Sequence, residues 1–427
     1  MNGDEGPATD LAARQGAHVF YTWSAQHNAK PLAIVGGQGA RFQTADGGDW
    51  LDFGSVTWNA NLGHGHAGVR RAVAEAAGRG LLAPPSAVYP DKVNAAERLL
   101  AIAPRGLRDG KVFFCLSGAE ANENAVKMAR LYTGRRKIIY RTRSYHGATL
   151  GMLSLSGDPR RRPFDPGLPD GVPWDDPYAA AATAGDLEET IARAGADSVA
   201  AVMLEGVVGA NGVYVPPPGY FRRVREICDR TGVLFIADEV LSGFGRTGRW
   251  FAVDHDGASP DLLVCAKGLT GGYAPGGAVV ASARVARYFD DEVLLCGLTA
   301  YAHPLTCAAV LAAIDAYERE GLIDRAARLG EWLAPRLRAL AAARGYVREL
   351  RGIGLLWALE LREPGGDGPA GSARMQRLAA ALGERRVHLH KRDNMIFLAP
   401  PLVVTEAELE AGLSAIAAAL DDSFGQA

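Results

Sequence analysis

Two short apolar runs in this chain end on groups that could work together. Residues 233–237 are apolar at every position and stop at Asp238 and Glu239; residues 262–266 stop at Lys267, which a glycine follows. Runs apolar on both faces suit strands buried in a parallel sheet. An acid and an amine at the ends of two such strands lie at the edge where open α/β sheets take their ligands. One reading is a site that grips a ligand with both groups. The other is a buried Asp–Lys ion pair that closes two strands.

Further candidates for such a site follow along the chain. Residues 111–115 read as a strand, and Leu116-Ser117-Gly118-Ala119 leads straight into a helix over 120–131. A small-residue turn at a helix N-terminus presents unpaired N–H groups and the positive end of the dipole, which suits a phosphate. A strand over 137–140 runs out into Tyr145-His146-Gly147, where an aromatic ring could cover a planar ligand. A buried tyrosine with a satisfied hydroxyl is the plainer reading. Pyridoxal phosphate (PLP) is one group that needs these parts, with a lysine as its Schiff-base partner and a carboxylate on its pyridine nitrogen.

The elements that must position these residues alternate regularly. Strands over 111–115, 137–140, 199–204, 233–237 and 262–266, four of them followed by a helix, predict an α/β fold with a mostly parallel, doubly wound sheet. Residues 157–174, dense in Pro, Gly and Arg, read as a loop. Beyond His303-Pro304 come long alanine-rich helices over 305–318 and 323–344, strands over 350–360 and 395–399, and a helix over 405–420 opened by a Thr405/Glu408 capping box. A chain of 427 residues exceeds the usual span of one core. The expected division is a mobile end over 1–16, an N-terminal segment over 17–66 packing with the small domain, a large ligand-binding domain over 67–310 and a small domain over 311–427.

Composition excludes several classes. A formal net charge of −2 lacks the basic face of a nucleic-acid partner. The five cysteines form no CxxC pair, so neither a disulfide framework nor a metal site is expected. No signal peptide and no apolar run near about 18 residues is present, which predicts a cytoplasmic protein without membrane spans. No GxGxxG follows the early strands, against a dinucleotide enzyme.

Taken in order, Ser117-Gly118-Ala119-Glu120-Ala121-Asn122-Glu123, Tyr145-His146-Gly147, Glu205, Asp238-Glu239-Val240, Gly243-Phe244-Gly245-Arg246-Thr247-Gly248, Ala266-Lys267-Gly268, Leu298-Thr299, His303-Pro304 and Pro400-Pro401-Leu402 form one pattern. The pattern resembles the class III (omega-type) aminotransferases, and within them the taurine and omega-amine–pyruvate branch. The resemblance implies the type I PLP-enzyme fold: a mostly parallel central sheet in a large domain, plus a smaller α/β domain. It implies PLP as cofactor, small amine and keto or aldehyde substrates, and a homodimer. Lys267 would carry the cofactor as a Schiff base and move the proton, and Asp238 would hold the pyridinium N–H. Val240 and Tyr145 would flank the ring, Ser117, Gly118 and Ala119 would take the phosphate, and His146 and Glu205 would belong to the cofactor site. Thr299 would reach the partner subunit's phosphate, while Trp58 and Tyr21 would line the substrate pocket.

Departures from the pattern bear on the substrate. Family members that handle an α-carboxylate beside the reacting amine often carry an arginine three residues before the Pro of the Pro-Pro-Leu motif; here that position is Phe397, which cannot make arginine's bidentate contact. The donor implied is an omega-amine, an amino sulfonate or a terminal amine on a larger metabolite. A keto acid such as pyruvate still needs a cation, and Arg392, matching an arginine of the related branch, is the candidate, a surface charge being the alternative. Class III members also include aminomutases, racemases and a decarboxylase.

Overall fold

The computed structural model describes residues 8–165, 167, 170–175 and 184–425. Its centre is a seven-stranded sheet. In spatial order the strands are Lys111–Cys115, Gly277–Ala281, Leu262–Ala266, Leu234–Asp238, Val199–Glu205, Lys137–Arg141 and Gly171–Trp174. Gly277–Ala281 runs antiparallel to both its neighbours and the remaining pairings are parallel. Side chains alternate between two cores: Phe235 and Ala237 join one apolar cluster, Leu234 and Ile236 the other. Helices cover both faces, which is why these strands read as continuous apolar runs.

Register fixes what stands at the sheet's edge. Glu205 pairs with Asp238 across the two central strands, and Asp238 pairs with Val264, three residues before Lys267. Two acids and the lysine therefore leave neighbouring strands on one side.

Two four-stranded sheets flank this core. Ile34–Gln38, Arg41–Thr44 and Asp49–Asp52 take Val387–His388 from the far end of the chain as a parallel fourth strand. Val347–Ile353, Leu356–Leu361, Met395–Leu398 and His390–Arg392 form an antiparallel sheet. The Thr405/Glu408 capping box opens the helix Glu406–Phe424 as its spacing predicts.

Several elements differ from the sequence expectation. The single strand expected over 350–360 is a hairpin, Val347–Ile353 against Leu356–Leu361, because Gly354 at φ 57° turns the chain between them. Ala8–His18 is helical where an aperiodic end was expected, since Leu11, Ala12, Ala13 and Arg14 all favour helix; residues 1–7 of that expected end lie outside the described residues. Gly171–Trp174 lies in the expected loop but pairs at the sheet edge, where a strand tolerates Pro173; positions 166, 168 and 169 of that loop lie outside the described residues. Two helices, Ala283–Asp291 and Ser372–Glu384, were not anticipated, although Met375, Leu378 and Leu382 mark the second at helical spacing.

Candidate active site

The strand ends open on a cavity of about 540 Å3. Trp58, Ser117, Gly118, Ala119, Tyr145, His146, Glu205, Asp238, Val240 and Lys267 all line it. Ten residues expected from scattered motifs are thus brought to one place.

Asp238 does not pair with Lys267. Its Oδ2 accepts from Asn122 Nδ2 at 2.8 Å and lies 2.7 Å from His146 Nδ1, and its Oδ1 accepts from the Val240 backbone N–H at 3.0 Å. Among the described residues no ion pair involves Lys267, so the two-strand salt bridge is not what these groups form. Lys267 sits in the left-handed region at φ 45°, a conformation that costs a non-glycine residue energy and that clusters at functional sites. Its Nζ lies 5.5 Å from the centroid of the Trp58 ring. Burial pushes the Lys267 ammonium down to about 8, although Asp238 and Glu205 pull it back up.

Glu205 is the second acid of the edge. It accepts from the Tyr145 and Gly209 backbone N–H groups at 3.0 and 2.9 Å. Burial pushes its carboxyl up to about 7; the His146 ring opposes the rise and Asp238 adds to it.

The turn expected to take a phosphate joins its strand to a helix N-terminus. Ser117 caps the helix Gly118–Thr133 by accepting from Glu120 N at 3.2 Å, and the Glu120 carboxylate accepts in turn from Leu116 N at 2.9 Å. At Gly118 an added Cβ would stand 2.9 Å from both methyls of Val240, so only glycine leaves this cradle open. Beside it, Asn122 Oδ1 and His146 Nε2 are buried without a partner among the described residues. These features fit PLP: an anion cradle at one end, a carboxylate with capacity on Oδ1 at the other, an amine within the cavity, and Val240 and Tyr145 on its walls.

Four expected residues stand elsewhere. Tyr21 does not line the cavity; it turns its hydroxyl back to Ala12 O at 3.3 Å, on the helix before it. Near it, the Trp23 ring lies 4.4 Å from the Arg160 guanidinium, which in turn lies 4.3 Å from the Tyr145 ring, and neither Trp23 nor Arg160 lines the cavity. Phe397 is buried behind Trp58, ring centroids 5.7 Å apart, because its strand points it into the apolar cluster of Val207, Leu356 and Ala399. Arg392 also stands outside the lining: it donates to Asp158 Oδ2 at 2.8 Å and to Ala210 O at 3.2 Å, and Ala210 is itself on the cavity wall. Thr299 is exposed on a turn and takes no part in the cavity of its own chain.

Sequence reasoning missed Asn122 and Asp158. Asn122 lies one helical turn past Gly118, so its position on the site face was legible from the i, i+4 spacing. Asp158 carried no signal. It is fully buried, holding Arg160 through both oxygens at 2.9 and 2.8 Å as well as Arg392. Burial alone would raise its carboxyl, but the bonds from Arg160 and Arg392 outweigh that and hold it well below the usual range.

Comparison with known proteins agrees with this geometry. The family model for aminotransferase class-III matches residues 22–420. The acetylornithine aminotransferase of Methanopyrus kandleri is 39% identical over 394 residues, 91% of this chain and 94% of that protein. An omega-aminotransferase of Caulobacter vibrioides is 34% identical, covering 91% and 93%. Among solved structures, the taurine:2-oxoglutarate aminotransferase of Bifidobacterium kashiwanohense, in complex with PLP and glutamate, superposes with a TM-score of 0.93 at 34% identity, covering 99% of this chain and all of that one. With the cradle, the acid and the amine assembled as that chemistry requires, the chain belongs to the class III aminotransferases and is a PLP-dependent enzyme.

Proposed function

We propose that the enzyme moves an amino group from an omega-amine or other terminal amine to a small α-keto acid or aldehyde. The observation that carries this reading is Phe397. Where an arginine would meet a carboxylate next to the reacting amine, this chain has a ring 1% exposed, packed behind Trp58. The similar proteins named for taurine and as omega-aminotransferase support it; acetylornithine, named for others, belongs in the same test.

When bound, PLP supplies an aldehyde that captures the amine and a ring that absorbs electrons as the Cα–H bond breaks. The chain's residues do the rest. Lys267, its ammonium lowered to about 8 by burial, would carry the cofactor and, once free and deprotonated, move the proton across the cavity. Asp238, locked by His146, Asn122 and Val240 N, would keep the pyridine nitrogen protonated. The turn at Ser117, Gly118 and Ala119 would hold the phosphate. The carboxylate of a keto acid is met from the Ala210 side by Arg392, which must trade Asp158 for the substrate. We place the enzyme as a homodimer with Thr299 at the partner's cofactor; its exposure, and that of Val293 at 72% and Leu295 at 62%, supports this, and sedimentation checks it.

The test is a half-reaction panel on the PLP-loaded protein. Taurine, omega-amino acids, diamines and acetylornithine bleach the cofactor band, pyruvate restores it, and α-amino acids without a second amine act slowly. Equal rates for α-amino acids and terminal amines would overturn the donor assignment. Turnover without any keto acceptor or keto product would replace transamination by a mutase or racemase.

A further inference from the structure

Behind the Trp58 wall lies a buried polar cluster that the chemistry above does not use. Asp52 ends the strand Asp49–Asp52 and is fully buried. His388 stands opposite it in the parallel pairing, with Nδ1 3.0 Å from Asp52 Oδ1. His64 Nε2 lies 2.9 Å from Oδ2. Both imidazoles spend a nitrogen on the carboxylate, and among the described residues no group of three or more His, Cys, Asp or Glu is arranged to hold a metal ion.

The remaining capacity of Asp52 goes to one short stretch of backbone. Gly54 N donates to Oδ1 at 3.0 Å, and Val56 N reaches Oδ1 and Oδ2 at 3.2 and 2.9 Å. That stretch is strained: Ser55, Val56 and Trp58 have φ of 45°, 57° and 59°, all left-handed, and Val56 is β-branched. Such a run persists only where surrounding structure over-determines it. Ser55 Oγ adds a bond to Ala399 O at 2.6 Å and accepts from Arg246 at 3.1 Å. From the other side, His390 lays its ring 4.6 Å from that of Trp58 and 5.6 Å from that of His388. Burial pushes the His390 imidazole down to about 4, so it meets Trp58 as a neutral ring.

We propose that Asp52 is a positioning residue for substrate specificity: with His64 and His388 it clamps the strained turn that aims Trp58 across Lys267, and His390 backs the ring. The substrate part of this inference rests on the reading of the cavity as the amine site. The positioning part does not, and the test separates them.

The probe is Trp58 fluorescence in cofactor-free protein, obtained by difference from Trp58→Phe, with acrylamide as quencher. Asp52→Asn keeps volume but loses the charge that both histidines and the turn share, and His390→Leu removes the backing ring without touching Asp52. Both variants are expected to raise quenching of Trp58. In the loaded enzyme both should raise KM for the terminal amine about 10-fold with kcat within about threefold. Folded variants with parental quenching would overturn the positioning role. Increased quenching with unchanged KM would keep that role and overturn Trp58 as a substrate wall. If Asp52→Asn fails to fold, His388→Asn, which loosens the clamp on Asp52 and leaves the acid in place, is read by the same two measurements.

Discussion

His146 and Asp238 share one short contact, Nδ1 to Oδ2 at 2.7 Å, and Asn122 donates to the same oxygen at 2.8 Å. Among the described residues Oδ1 is left with a single donor, the Val240 backbone N–H. The crowding of one oxygen and the sparing of the other fix the carboxylate and leave Oδ1 as an acceptor with room for one more bond.

Asp238→Asn keeps the shape and removes the charge. The expected result is retention of PLP with kcat lowered at least about 100-fold, the scale seen when a preorganised electrostatic partner is lost. Asn122→Ala leaves the charge and frees its orientation, so a smaller loss of about 10-fold in kcat with little change in KM is expected. Steady-state kinetics on the two variants checks both.

Lys267 gives a stability prediction independent of catalysis. Its folded pKa, about 8, lies below the ordinary 10.5, so between those values the unfolded chain binds more protons than the folded one. The buried lysine therefore costs stability at neutral pH, and stability is regained as pH rises through that window. Lys267→Met is expected to abolish transamination yet stabilise the cofactor-free protein by about 1–3 kcal/mol at pH 7, with the gain shrinking toward pH 10. Urea unfolding at the two pH values measures it.

What the sequence disclosed about this site follows from locality. Asp238 and Lys267 were legible because each ends an apolar run, and Ser117-Gly118-Ala119 because strand, turn and helix are contiguous. What stands behind the wall was not, since the partners there are remote in the chain. Nothing near Phe397 says that its strand points it behind Trp58, and nothing near Asp52 says that His388 is its neighbour in a parallel pair.

Gly118 and Val240 should behave as a coupled pair. Gly118→Ala places a methyl 2.9 Å from both Val240 methyls, so either the cradle or Val240 must shift. Overpacking of this kind costs about 1–3 kcal/mol, which corresponds to a rise in the PLP dissociation constant of about 5- to 150-fold. Val240→Ala removes the obstruction, so the double variant should bind PLP more tightly than Gly118→Ala alone. Fluorescence titration of cofactor-free protein gives the cycle, and strictly additive losses would show that the two residues do not touch in the working cradle.

Phe397 is the position where a simple specificity swap suggests itself, and the packing argues against it. The ring is buried among Val207, Leu356, Ala358 and Ala399, with Trp58 at its edge. A guanidinium placed there has no carboxylate among these neighbours, and an uncompensated buried charge costs about 3–5 kcal/mol. Phe397→Arg is therefore expected to lower the unfolding midpoint sharply and to depress activity on every amine, without creating preference for α-amino acids. Phe397→Leu, a milder repacking at about 1 kcal/mol, should leave the fold intact and loosen Trp58. Denaturant unfolding beside the amine panel distinguishes the outcomes: a stable Phe397→Arg enzyme with new α-amino acid activity would mean that the strand can turn this side chain into the cavity.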